Sequence, residues 1–144
     1  MNTQQLIAKL HEKDFRVTPQ RLAICELVLA SKEHPTVEQI HHAMQKKYPT
    51  LSLATIYQTL HLLTEIGMLQ ELGFRDGITR YDPDTSPHIN IVCKNCGKIQ
   101  NYEALTIRDF LSQIAAELSH PPIEQHLEIY TYCNQCKKSG SREN

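Results

Sequence analysis

The chain has 144 residues and a formal net charge of −1, so it can form one ordinary domain or two very small ones, and its charge does not indicate a nucleic-acid or membrane partner. No apolar run approaches the roughly 18 residues that a membrane-spanning helix needs, which excludes that class. The N-terminus shows no signal-peptide pattern, so we expect a cytoplasmic protein with reduced thiols. In that compartment, five cysteines that include two CxxC pairs favour metal binding over disulfides.

The first half of the chain predicts helices followed by a hairpin. Apolar spacing indicates four helices, and Thr18, Thr36 and Ser52 are the expected N-caps of the second, third and fourth. These helices cover residues 3–13, 19–31, 37–47 and 53–66. Two short extended runs then flank Asp76 and Gly77, a pair typical of a type I′ turn. This order predicts a winged helix, a fold in which one helix enters the DNA major groove.

A segment rich in Pro, Asp and Ser, residues 82–87, predicts a hinge between residues 1–81 and residues 88–144. Beyond it the pattern predicts three strands and one helix. The strands are expected at residues 89–92, 98–102 and 126–132, and the helix at residues 106–119. We therefore expect an α+β protein with an N-terminal winged-helix domain and a small C-terminal α/β domain. The C-terminal domain is too small to bury a large hydrophobic core.

The two CxxC pairs predict a metal site. Cys93 and Cys96 form the first pair, and Cys133 and Cys136 form the second. Four thiolates complete the tetrahedral shell of a structural Zn²⁺, and zinc would supply folding energy that so small a unit lacks. A thiol oxidoreductase is the rival, but a redox CxxC usually opens a helix in a βαβ pattern that is absent here. The fifth cysteine, Cys25, lies on an apolar helix face and is expected in the core.

The fourth helix is the candidate DNA-recognition helix. Small and hydroxyl-bearing residues at its start would let the backbone approach the groove, and its polar side chains could reach bases or phosphates. An ordinary amphipathic helix with a polar outer face is the alternative. Tyr57 follows Ile56 of the core row, so it points outward, which favours contact. The candidate DNA contacts are Arg16, Ser52, Ala54, Thr55, Tyr57, Gln58 and Thr59.

Several motifs occur together in one order along nearly the whole chain. They are "RVTPQR" (16–21), "HPT" (34–36), "SLATIYQTL" (52–60), "RYD" (80–82), "CKNCGKI" (93–99) and "CNQC" (133–136). With these motifs the sequence resembles the ferric uptake regulator (Fur) family. The resemblance implies a homodimeric winged-helix repressor of double-stranded operator DNA, with a C-terminal dimerisation domain. It also implies a structural zinc on the four cysteines.

The resemblance further implies a regulatory metal site at the hinge, on His34, Asp82 and His88. Imidazole and carboxylate ligands suit Fe²⁺, Mn²⁺ or Zn²⁺, and one ion bonded to both domains would fix their relative orientation. Two more family ligand positions hold Asn90 and Asn101 instead of imidazole or carboxylate groups. An amide oxygen can still bind a metal, but neutrally and weakly.

The motifs are most similar in style to the peroxide-responsive branch of the family. In that branch bound Fe²⁺ reacts with peroxide and a ligating histidine is oxidised, which releases DNA. The two asparagines leave two hypotheses open. Either the chain is a repressor that senses peroxide or a divalent metal, or its regulatory site is weakened and it is constitutive or senses another signal. Apart from the CxxC oxidoreductase alternative, no residue pattern predicts an enzyme.

Overall fold

The computed structural model describes residues 3–73, 77–103, 105–118 and 126–139. By internal packing the chain divides into two units, Met1–Thr85 and Ser86–Asn144. Among the described residues, no helix combines the length and the apolar character that crossing a bilayer requires.

The first unit contains four helices followed by a two-stranded antiparallel hairpin. The elements are α1 (Thr3–His11), α2 (Pro19–Leu29), α3 (Val37–Met44), α4 (Leu53–Glu65), β1 (Gln70–Gly73) and β2 (Thr79–Asp82). This arrangement confirms the predicted winged helix, with helix ends one to three residues short of the predicted ones. The turn predicted at Asp76 and Gly77 falls partly outside the described residues.

Side chains at the helix starts explain why the helices begin where they do. Thr18 accepts a hydrogen bond from the backbone N–H of Arg21 at 3.3 Å, with Pro19 at the first helical position. Thr36 forms a full capping box with Gln39. Each cap is worth about 1 kcal/mol.

The core of the first unit lies among these helices. Its fully buried residues come from all four helices, and Cys25 is among them, as predicted. They include Leu10, Ile24, Cys25, Val28, Ile40, Ile56, Leu60 and Leu63. Each fully buried Leu or Ile contributes about 1.5–3 kcal/mol, so this core is large enough to hold α4 rigidly against α2 and α3.

The second unit is a three-stranded sheet with two helices. Its elements are β3 (Ile89–Cys93), β4 (Ile99–Tyr102), α5 (Leu105–Glu117), β5 (Glu128–Thr131) and α6 (Asn134–Ser139). The strand order is β4-β3-β5, in which β3 is antiparallel to β4 and parallel to β5. The short helix α6 was not predicted, because its sequence has no apolar repeat that would reveal it. Among the described residues of this unit, few apolar side chains are buried: Val92, Cys93, Ile99 and Ile107.

Candidate metal centre and DNA-binding surface

The four cysteines of the CxxC pairs meet in the second unit. Cys93 ends β3, Cys96 lies in the turn before β4, Cys133 follows β5 and Cys136 lies on α6. Their sulfur atoms all lie within 4.8 Å of one another. Because β3 and β5 are parallel, their C-terminal ends lie side by side at the same end of the sheet. This brings together the two CxxC pairs, which are distant in sequence.

The sulfur spacing fits a tetrahedral ion. The Cys96 and Cys133 Sγ atoms are 3.7 Å apart. Thiolates bound at about 2.3 Å to one tetrahedral zinc would lie about 3.8 Å apart. Sulfurs of a disulfide lie about 2.05 Å apart, and all the cysteines are free thiols in the structure. The donor set and its spacing therefore match a closed structural zinc site.

Electrostatics within the cluster also favour a cation. The backbone N–H of Cys133 donates to the Cys93 Sγ atom at 3.3 Å, and together with further N–H donors from Cys96 and Asn95 it lowers the pKa of Cys93 to about 6. The backbone N–H of Cys136 lowers the pKa of Cys133. The Asn95 amide donates to the Cys136 Sγ atom at 3.3 Å and lowers its pKa, but the neighbouring sulfurs and burial outweigh this and raise the pKa to about 11. Four crowded sulfurs thus resist full ionisation alone, and a dication would stabilise all four thiolates.

His34 and Asp82 form a buried pair in the first unit. The Nε2 atom of His34 and the Oδ2 atom of Asp82 form a 3.0 Å hydrogen bond, and the two side chains are only 3% and 2% exposed. The Tyr81 backbone N–H donates to the Pro35 carbonyl at 3.1 Å, which holds β2 beside the segment that carries His34. Two ligands bound to one ion at about 2.1 Å and at a right angle would lie about 3.0 Å apart, so the pair fits a shared metal.

Two further features of His34 point to a functional position. Its backbone adopts φ 48°, a left-handed conformation that costs a residue other than glycine about 1–3 kcal/mol. Its Nδ1 atom is buried and has no hydrogen-bond partner among the described residues. Buried polar atoms are normally satisfied, and strained backbone of this kind concentrates at functional sites.

In the second unit, His88, Asn90 and Asn101 lie at and beside the start of the sheet. His88 is buried, and its Nδ1 atom lies 2.7 Å from the Ser86 carbonyl oxygen, so Nδ1 carries the proton and the lone pair resides on Nε2. Asn90 and Asn101 are directly opposite each other on β3 and β4. The Asn90 Oδ1 atom is buried without a hydrogen-bond partner among the described residues, which leaves an oxygen suited to ligation.

The outward face of α4 is the candidate DNA-binding surface. Ala54, Tyr57, Gln58 and His61 are exposed along it, and Tyr57 is 50% exposed, as its predicted outward direction requires. Ser52 and Arg16, two further candidate contacts, are also exposed. Ala54, Tyr57 and Gln58 thus lie on a helix whose opposite face is fixed in the core.

Two of the candidate DNA contacts, Ser52 and Thr55, hydrogen-bond to each other at the start of α4. The Ser52 hydroxyl accepts from the Thr55 backbone N–H at 3.2 Å and lies 2.9 Å from the Thr55 hydroxyl. Ser52 thereby caps the helix, as predicted, and Thr55 is half-buried.

The predicted DNA contact at Thr59 is wrong. Thr59 is 0% exposed, and its hydroxyl donates to the Thr55 carbonyl at 2.7 Å. It stands three residues after Ile56 and four before Leu63, which places it on the same helix face as those core residues. That spacing was visible in the sequence, and it assigns Thr59 to the core.

Sequence reasoning also missed contacts that support α4. His41 on α3 places its Nε2 atom 3.0 Å from the Leu51 carbonyl, just before α4 begins. The Arg21 guanidinium on α2 donates to the Gln58 side-chain oxygen at 3.3 Å. The sequence alone predicts neither contact, because both depend on how separate helices pack.

The chain matches the model of the ferric uptake regulator family over residues 12–130. It is 36% identical over 139 residues to the peroxide-responsive repressor PerR of Staphylococcus epidermidis, covering 96% of this chain and 92% of that one. It is 38% identical over 136 residues to the peroxide operon regulator of Bacillus subtilis, with 94% and 93% covered. The structure of the Helicobacter pylori ferric uptake regulator aligns with a TM-score of 0.79 at 21% identity, covering 96% and 93%, and shows the shared fold.

Proposed function

Because the chain belongs to the ferric uptake regulator family, we propose that it is a metal-dependent transcriptional repressor that binds double-stranded operator DNA as a homodimer in the cytoplasm and senses peroxide. The buried His34–Asp82 pair carries this proposal. Burying an imidazole and a carboxylate costs free energy that their mutual 3.0 Å hydrogen bond only partly offsets, and the buried His34 Nδ1 atom adds to that cost, so a functional role is favoured.

The regulatory ion, Fe²⁺ or Mn²⁺, is held by His34, Asp82 and His88, with the oxygens of Asn90 and Asn101 as weak additional ligands. Support comes from the buried pair in the first unit and from the Nε2 lone pair of His88 in the second. The unpartnered Oδ1 atom of Asn90 supports its role in the same way. Imidazole, carboxylate and amide oxygen are ligands suited to these ions.

Each side chain has a defined task in this proposal. Asp82 neutralises charge, while His34 and His88 supply neutral nitrogen ligands from different parts of the chain. Iron in this position would supply the electrons that reduce peroxide. As ligands of that iron, the two imidazoles would be open to oxidation, and an oxidised ring binds metal poorly, which would end metal-dependent DNA binding.

Two measurements test the proposal. DNA affinity is titrated with and without Mn²⁺, for the native chain and for His34→Ala, with the exposed His42→Ala as the matched control. We expect metal to tighten DNA binding of the native chain and of His42→Ala, but not of His34→Ala. Equal affinity of the native chain with and without metal would defeat the metal switch.

The peroxide response is tested by mass spectrometry of the Fe²⁺-loaded chain after peroxide treatment. We expect the peptide containing His34 or the one containing His88 to gain one oxygen as DNA binding falls. If neither peptide is oxidised and DNA binding persists, peroxide sensing by this route is excluded.

A weakened regulatory site is the second candidate, and the Asn90–Asn101 pair favours it because both groups are neutral. In that case the chain is constitutive or responds to another signal. The variants Asn90→His and Asn101→Asp separate the two: if they introduce metal-dependent DNA binding that the native chain lacks, the site is weakened. A thiol oxidoreductase is disfavoured, because four sulfurs lie together rather than two.

Homodimer formation is supported by an apolar stripe formed by α5 and the residue that follows it, Leu118. Phe110, Ile114 and Leu118 follow one another at intervals of four residues and are 55%, 37% and 49% exposed. Ile129 on the edge strand β5 is 49% exposed. Such an apolar surface on a small unit is typical of a protein–protein interface.

A further inference from the structure

Arg21 is held in place by three contacts in the first unit. Its Nη1 atom donates to the Arg16 carbonyl at 2.9 Å, and its guanidinium carbon lies 4.4 Å from the centre of the Phe15 ring. Its Nη2 atom donates to the Gln58 Oε1 atom at 3.3 Å. Two anchors that do not involve α4 therefore fix the guanidinium beside Gln58.

The chemistry of Arg21 decides which end of the Gln58 amide faces it. A guanidinium has five N–H donors and no acceptor, so it can bond only the amide oxygen. The reversed amide would set its own N–H groups against a cation. The Gln58 oxygen therefore faces Arg21, and its two N–H donors are at the other end of the amide, on a side chain that is exposed on α4.

This orientation changes what Gln58 can read. An uncommitted glutamine pairs with adenine through two bonds, accepting from N6 and donating to N7, whereas guanine offers two acceptors, N7 and O6. One lone pair of the Gln58 oxygen is taken by Arg21, and the nearby guanidinium repels the N6 amino hydrogens of adenine, so Gln58 interacts with bases mainly through its N–H donors. We propose that Arg21 orients Gln58 so that it reads guanine in preference to adenine in the major groove. The inference rests on the proposed function, in which α4 contacts operator DNA.

Selection from a pool of randomised DNA duplexes tests this without knowledge of the operator. The zinc- and Mn²⁺-loaded chain, Gln58→Ala and Arg21→Met are compared, with exposed Lys9→Met as the control for loss of one positive charge. We expect the native chain and Lys9→Met to enrich guanine over adenine about tenfold at one position of each half-site. Gln58→Ala should lose the preference at that position alone, and Arg21→Met should shift it to adenine.

A second measurement does not depend on the folding of Arg21→Met. Replacing the preferred guanine with 7-deazaguanine removes the N7 acceptor, and it should weaken binding of the native chain about tenfold but leave Gln58→Ala unaffected. The inference is overturned if the position sensitive to Gln58 prefers adenine in the native chain, if Arg21→Met keeps guanine, or if Gln58→Ala changes no position. Enrichment of no sequence by any variant would instead overturn the proposed function itself.

Discussion

Removing the structural zinc should unfold the second unit and leave the first unit folded. The perturbation is chelation under reducing conditions or the substitution Cys96→Ser, which takes one of four thiolates from the cluster. The effect should be confined to one unit because all four sulfurs belong to it.

The expected magnitude follows from the small core of the second unit. Among the described residues of this unit, the buried apolar side chains besides Cys93 are Val92, Ile99 and Ile107, and each contributes about 1.5–3 kcal/mol. Structural zinc supplies roughly 10–16 kcal/mol, which is more than these three side chains contribute together. Loss of zinc should therefore unfold the unit rather than loosen it.

Hydrogen–deuterium exchange measures the outcome segment by segment. After chelation we expect amides of β3 and β4 to lose protection, while those of α4 keep it. Two variants serve as controls. Asn95→Ala removes the 3.3 Å bond to Cys136 but no thiolate, and Cys25→Ala removes a thiol from the other unit; both should keep the strands protected. Undiminished protection of β3 in the zinc-free chain would refute the reasoning.

Three further predictions concern other features. Burial raises the pKa of Cys25 from 9.0 to about 12, so its contribution to stability should be constant below pH 9 and should fall by up to about 1.4 kcal/mol per pH unit between pH 9 and 12. The free energy of unfolding measured in urea should therefore fall more steeply in this range for the native chain than for Cys25→Ala, and equal slopes would contradict the prediction. Tyr57→Ala should weaken DNA binding about tenfold in a filter or anisotropy assay, whereas the isosteric Thr59→Val should not, and a loss in Thr59→Val would restore Thr59 as a contact. Ile114→Glu should convert the dimer to monomer in analytical ultracentrifugation while the exposed neighbour Gln113→Glu does not, and a dimeric Ile114→Glu would remove the α5 stripe as the interface.

The sequence was most informative where local chemistry decides structure. The beginnings of α2, α3 and α4 could be predicted because each is marked by a capping side chain that bonds within four residues. These caps are Thr18 (followed by Pro19), Thr36 and Ser52. The cysteine spacing likewise predicted a cluster that the structure brings together.

Other features depend on packing between segments that are distant in sequence, so the local sequence pattern does not predict them. The bond between Arg21 and Gln58 joins residues 37 positions apart, and it determines which end of an amide is presented. The left-handed backbone of His34 is equally hidden, since the residue type alone predicts an ordinary conformation. Thr59 is a different case, because its spacing from Ile56 and Leu63 places it on the core face although its residue type is typical of a DNA contact.

The parallel pairing of β3 with β5 has a consequence for the rate at which the chain folds. Cys93 ends β3 and Cys133 follows β5, and the two are 40 positions apart, so joining them closes a loop at an entropic cost of about 3 kcal/mol. The β1–β2 hairpin closes over a far shorter stretch, Gly73 to Thr79. We therefore expect this hairpin to form earlier than the β3–β5 pairing. A zinc ion can speed the slower step by binding Cys93 and Cys96 first and then capturing Cys133 and Cys136.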